Sequence, residues 1–201
     1  MKSGCIFFGM LVALLPVLFG CDKEPEIIIQ KEIVHDTLIV VDTVTLIETV
    51  FQTIPDTATT FILVRHAETT GAGTNPVLSS AGQSRAQELK RILSNVDVDA
   101  VYSTDFNRTR QTAEPVATAN SLSTLIYDPF ATDALINQVL NAYPKGIVLI
   151  VGHSNTTPAL LNAMVGANTY PDFPETEYDN LFVVHVSEKG DATVIHMKYG
   201  E

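Results

Sequence analysis

Two histidines stand directly after apolar runs with the length of a buried strand. His66 follows Phe61-Ile62-Leu63-Val64-Arg65, and His153 follows Ile147-Val148-Leu149-Ile150-Val151-Gly152. Imidazole can act as nucleophile, base or metal ligand near neutral pH. Two arginines accompany the histidines: Arg65 adjoins His66, and Arg108 lies just beyond a third apolar stretch, Ala100-Val101-Tyr102. A guanidinium stays charged and offers a planar fork of donors suited to phosphate or carboxylate. Brought together, these four side chains would form a local site for a tetrahedral or carboxylate anion.

Other chemistries compete for the same residues. His66 and His153 could hold a metal, but an arginine beside a ligand repels the ion, and no HxH, HExxH or cysteine spacing is present. Gly152-His153-Ser154 lacks the GxSxG pattern of a serine hydrolase. Arg65 and Arg108 could instead pair with Glu68 and Glu114. Arg110, two residues from Arg108, faces another way on a helix.

For the four to converge, their strands must share one sheet. After about residue 60 strand and helix signals alternate, which predicts an α/β three-layer sandwich with a largely parallel central sheet and helices on both faces. Strands are expected at Phe61–Val64, Ala100–Tyr102, Leu125–Tyr127, Ile147–Val151, Leu181–Val186 and Thr193–Met197. Helices are expected from Ser80 with capping-box spacing, over Asn107–Ala119 and Asp133–Ala142, and after Thr157 as N-cap with Pro158 at the first helical position. Ligands of open α/β sheets gather at the carboxyl ends of the strands, where His66 and His153 both stand.

The segments "LVRHAET", "VYSTDFNRTRQTAEPVA" and "IVLIVGHSNTTPALLNAM" occur in that order. They resemble the three signatures of the histidine phosphatase superfamily, in its phosphoglycerate-mutase-like branch (branch 1). The resemblance covers about residues 61–166. It implies that His66 is the nucleophile that becomes phosphorylated, with Arg65, Arg108 and His153 around the phosphoryl group, and that neither metal nor other cofactor is needed. To attack, His66 needs one unprotonated ring nitrogen, so a carbonyl should hold its other N–H. The arginines would stabilise charge on the equatorial oxygens, and a cationic His153 would add a donor.

The sequence departs from the family pattern in three ways. Ala67 replaces the usual glycine after the histidine, and Thr109 stands where alanine is common. The acidic proton donor has no matching segment. Asp128, at the end of a short strand, is the candidate donor, with Asp133 as runner-up. Few residues between Arg108 and His153 are available to build a cap, which favours hydrolysis over mutase action.

The ends of the chain carry different information. Lys2, an apolar run from Ile6 to Phe19 and the ending Leu18-Phe19-Gly20-Cys21 have the form of a lipoprotein signal peptide over residues 1–20, with Cys21 as the lipidated N-terminus. Cys5 is the other cysteine of two, so such a mature chain would keep no thiol for a disulfide, a metal or catalysis. Residues 21–59, rich in Thr and β-branched side chains, are expected to form an extended spacer, and residues 60–201 the phosphatase-like domain. A net charge of -11 argues against nucleic acid as a partner.

Together these features predict a membrane-anchored, extracytoplasmic phosphatase of the bacterial cell envelope. It would act on a phosphorylated small molecule or envelope phosphate ester through a phosphohistidine. The alternatives are a lipoprotein with an impaired site that binds an anion or an envelope partner without turnover, and a phosphoglycerate-mutase-type phosphotransferase.

Overall fold

The computed structural model describes residues 31–34, 37–40, 58–71 and 73–200. The expected signal peptide, Cys21 and most of the expected spacer lie outside them. The chain divides into two compact units, Met1–Thr53 and Ile54–Glu201. In the first, strands β1 (Lys31–Val34) and β2 (Thr37–Val40) pair antiparallel, Lys31 opposite Val40. No helix among the described residues is long and apolar enough to cross a membrane.

The second unit is built on a six-stranded sheet of order β5-β4-β6-β3-β7-β8. Its strands are β3 (Thr59–Arg65), β4 (Ala100–Ser103), β5 (Thr124–Ile126), β6 (Ile147–Gly152), β7 (Asn180–Glu188) and β8 (Asp191–Lys198). The first four run parallel, and β7 and β8 are antiparallel additions at one side. Four helices complete it: α1 (Ser80–Ile92), α2 (Asn107–Ala119), α3 (Thr132–Ala142) and α4 (Thr156–Val165).

The strands are apolar on both faces because helices cover both. Phe61 and Leu63 of β3 join Val148 and Ile150 of β6 in one core, under Ile136 and Val139 of α3 and Leu161 of α4. Ile62 and Val64 join Leu149 and Val151 in the opposite core, under Leu89 of α1 and Val116 of α2. Successive residues of a strand point to opposite faces, so continuous runs such as "FILV" and "IVLIV" are what a doubly covered strand requires. Each fully buried Leu, Ile, Val or Phe contributes about 1.5–3 kcal/mol, which holds the strand ends of the central pair in place.

Element types match expectation, but two helix starts shift. The cap of α1 is Ser79, whose hydroxyl accepts from Gly82 N at 3.1 Å, so the Ser80–Gln83 capping box does not form. Helix α4 begins at Thr156, before the expected Thr157 cap. Thr156 Oγ1 accepts from His153 N at 2.9 Å, which closes the turn early and puts Pro158 third in the helix. Its missing N–H still costs nothing in the first turn.

Candidate active site

Sheet order and register bring the two histidines together. β6 lies beside β3 although α1, β4, α2, β5 and α3 separate them in sequence, and the ladder pairs Arg65 with Gly152. His66 N donates to Gly152 O at 2.9 Å, so the residues that leave the two strands next are His66 and His153. Their ring centroids are 5.5 Å apart. Only glycine fits before His153, since a Cβ on Gly152 would lie 2.9 Å from the hydroxyls of both Thr156 and Thr157.

His66 is held in one orientation with one ring nitrogen free. Its Nδ1 lies 2.8 Å from Ala67 O, so Nδ1–H donates to that carbonyl and Nε2 keeps its lone pair. The Ala67 peptide is itself fixed, because its N–H donates to Thr112 Oγ1 at 2.9 Å. The neighbouring Gln111 accepts from Leu78 N at 2.8 Å, so the Gln-Thr pair of α2 holds both Ala67 and Leu78, at the two ends of the loop that follows His66. Ala67 is fully buried, its methyl packed against Leu78 and Ala86, which accommodates the departure from glycine.

His153 is held neutral by its surroundings. Arg108 Nη2 lies 3.4 Å from its Nδ1, and its Nε2 lies 2.9 Å from Thr104 Oγ1. The guanidinium can only donate, so Nδ1 accepts and the proton sits on Nε2. Thr104 Oγ1 is also 2.9 Å from Thr109 Oγ1, so the threonine that replaces alanine in the second signature supports the His153 ring through Thr104. Burial holds His153 down to about 4, helped by Arg108 and Arg65. Burial likewise holds His66 at about 4 against the raising effect of Ala67 O, with Arg65, His153 and Arg108 acting in the same direction as burial. The cationic His153 considered from sequence is therefore not the resting state.

Arg65 is 2 % exposed, and the segment before β7 wraps it. Its Nη1 donates to Pro174 O at 2.9 Å and Glu177 O at 3.0 Å, its Nη2 to Glu175 Oε2 at 2.5 Å, and the Tyr178 ring covers it at 4.3 Å. Nε is buried with no hydrogen-bond partner among the described residues, a donor free to bind an anion's oxygen. Arg108 stacks on Phe106 at 4.4 Å. Neither arginine uses the carboxylate considered from sequence: Glu68 binds Arg85 at 2.7 Å, and Glu114 forms no ion pair among the described residues. Arg110 turns away to Asp105 at 2.9 Å.

Arg65, His66, Arg108 and His153 all line one open cleft of about 740 Å³, and Ser154, Asn155 and Thr156 at the start of α4 form another wall. A helix N-terminus favours an anion at that wall. A larger cleft of about 1060 Å³ between α1 and α2 has no such convergence, its charged lining being scattered side chains such as Lys90 and Glu114.

The candidate acids separate. Asp128 does not line the cleft: its Oδ1 accepts from Phe130 N at 2.9 Å and forms a local turn. Asp133 pairs with Lys189 at 2.8 Å. The carboxylates on the wall are Asp172 and Glu175, which sequence reasoning missed. Glu175 accepts from Ser154 Oγ at 3.0 Å as well as from Arg65; these two partners, Ser154 first, hold its carboxyl below the usual range. Among the described residues no group of three His, Cys, Asp or Glu is placed to hold a metal.

Residues 61–130 match the family model described as histidine phosphatase superfamily (branch 1). No curated protein matches the chain. Among solved structures, the protein histidine phosphatase SixA complexed with tungstate superposes with a TM-score of 0.57 at 17% identity, over 69% of this chain and 96% of its own. A mycobacterial glucosyl-3-phosphoglycerate phosphatase gives 0.59 at 13% identity, over 71% and 100%. A mycobacterial hydrolase gives 0.57 at 12% identity, over 72% and 93%. At such identities the likeness is one of fold. The first two signatures, with His66 and Arg108, fall inside the matched span and the third, with His153, lies beyond it; over residues 61–130 the chain matches the histidine phosphatase superfamily, branch 1, and its sheet has the fold of these structures.

Proposed function

We propose that the domain is a metal-independent phosphatase that hydrolyses a phosphomonoester through a phosphohistidine at His66. The observation that carries the proposal is the state of His66. Its Nδ1–H is fixed on Ala67 O, its Nε2 is unprotonated, and Arg65, Arg108 and His153 line the same cleft. The tungstate bound by SixA is a tetrahedral oxyanion of phosphate shape, which supports the same use of the cleft here.

In the proposed reaction the phosphate takes the free Nε of Arg65 and the Arg108 guanidinium. His66 Nε2 then forms a bond to phosphorus as the bond to the ester oxygen breaks. The leaving oxygen needs a proton. Glu175 is suited to give it, because a phosphate arriving at Arg65 competes for Nη2 and places negative charge beside the carboxylate, which raises its proton affinity. Water then attacks the phosphohistidine, releasing phosphate and restoring His66, with Glu175 taking up a proton from the water.

We further propose that Cys21 carries the lipid anchor and that the domain works outside the cytoplasm, on the strength of the leader-like N-terminal segment. The test of activity uses full-length protein in detergent with an aryl phosphate. Turnover should survive a chelator and be blocked by vanadate; loss on chelation would sink the metal-free mechanism. The test of the anchor is Cys21→Ser, which should free the protein from membranes; unchanged retention would count against lipidation.

A further inference from the structure

Phe130 is the most exposed large apolar side chain among the described residues, at 86%. It stands on the wall of the catalytic cleft. The other three phenyl or phenol rings there are already engaged. Phe106 lies under Arg108 at 4.4 Å and meets the His153 ring at 5.2 Å. Phe173 stacks on Phe182 at 5.7 Å, and Tyr178 covers Arg65 at 4.3 Å. Phe130 has no ring or cation partner of this kind among the described residues.

Its placement is built into the chain. Tyr127 is buried and its N–H donates to Ser103 O at 3.1 Å, which ties the start of the turn to β4. Asp128 then accepts twice, from Phe130 N at Oδ1 (2.9 Å) and from Ala131 N at its carbonyl (3.1 Å). An aspartate bonded to the backbone two residues on is a standard turn former. Asp128 is thus a positioning residue that presents Phe130 at the mouth of the cleft.

The charge of the cleft points the same way. Its charged lining consists of Arg65 and Arg108 against Asp172 and Glu175. A bound phosphate engages both guanidiniums, and no cation on the wall is left for a second anionic group. Asp172 is exposed, lines the cleft and has no ion-pair partner among the described residues, so no cation offsets its charge there.

We infer that the substrate bears a single phosphate on an aromatic or otherwise apolar group that seats against Phe130, and that Asp172 disfavours esters with a second anionic group near the phosphate. This rests on the phosphatase reading above. It goes further in assigning substrate class to Phe130 and Asp172, neither of which takes part in the chemistry.

The test is kcat/KM of the full-length protein for phenyl, 4-carboxyphenyl, 4-(aminomethyl)phenyl and ethyl phosphate, with calorimetric binding of phenylphosphonate and methylphosphonate. The carboxylated ester should fall about 5- to 10-fold below the aminomethyl ester, a ratio that Asp172→Asn brings toward one. Phenylphosphonate should bind more tightly than methylphosphonate, and Phe130→Ala should reduce that preference about 3- to 10-fold. Phe130→Tyr should restore it. Turnover of phenyl phosphate with no discrimination against the carboxylate, or an aryl preference unchanged in Phe130→Ala, would overturn the inference and leave the phosphatase reading standing. No turnover of any ester would remove the phosphatase reading, and equal binding of the two phosphonates would then remove the inference on its own evidence.

Discussion

The cleft has two walls of opposite character. One is the pair of strand ends that deliver Arg65, His66 and His153, all buried and locked by sheet register. The other is the loop wall that carries Phe130, Asp172 and Glu175, all exposed. Buried polar groups in a strand end must be satisfied in one geometry, which suits groups that handle a transferring phosphoryl. An exposed loop wall tolerates side-chain change at little cost to the fold, which suits groups that select the leaving group. On this account the strand-end wall takes and passes on the phosphoryl group, and the loop wall, apart from the proton that Glu175 supplies, decides what is transformed.

The comparison can be broken first at the strand ends. His66→Ala should lower turnover by on the order of 10⁴-fold or more, since no other group can accept the phosphoryl. Arg108→Ala should cost about 10²–10³-fold in kcat as charge on the equatorial oxygens loses its donor. A loss below tenfold in His66→Ala would mean that the strand-end wall is not the catalytic one, and in Arg108→Ala that the arginine α2 adds to it is not a catalytic group.

Glu175 is where the walls meet. Glu175→Gln should lower kcat about 10- to 100-fold for alkyl phosphates, whose leaving oxygen needs a proton, and far less for 4-nitrophenyl phosphate. An equal loss for both esters would make Glu175 a binding group and not a donor. Asp128→Asn keeps the oxygen that accepts from Phe130 N, so it should leave both rates within about twofold. A large loss confined to alkyl esters in that variant would restore Asp128 as the donor.

Acidity separates the walls more gently. His66 in the folded free enzyme is lowered to about 4 from an ordinary 6.5, so it stays unprotonated as pH falls from 7 to 5. The acid limb of kcat/KM that reports His66 should therefore lie near 4, and a limb near 6.5 would show a solvated nucleophile. The lowered values also have a stability consequence. The unfolded chain binds protons on these histidines below about 6.5 and the folded chain does not until about 4, so their contribution to stability is present above 6.5 and is lost as pH falls through that window. His153→Gln should flatten that part of the melting-temperature profile by a few degrees.

What was legible in the sequence follows the same division. Phe61–Val64 and Ile147–Val151 show their burial as uninterrupted apolar runs, so the strands, and the four residues at the strand ends and on α2 that meet in the cleft, could be read from the sequence, while the strand order could not. Glu175 and Asp172 could not, because a loop carboxylate has no periodicity to mark it and reaches Arg65 only across 110 residues of chain. The single signal available was the density of Pro, aromatic and acidic residues in "YPDFPETEYD", which is unusual for an idle loop. Asp128 stands at the end of a short strand, where the sequence suggests a donor, but it does not line the cleft. Its side chain is spent on the backbone of its own turn, a local bond that competes with any longer reach.

The central claim is that the strand end delivers a nucleophile. The most direct measurement is rapid acid-free quench of the full-length protein during turnover of an aryl phosphate, followed by peptide mass spectrometry for the phosphoryl adduct. The account predicts an acid-labile, base-stable adduct on His66 that forms and decays at rates able to support kcat and is absent from His66→Ala. Turnover without that adduct, or with the phosphoryl group on another residue, would contradict it.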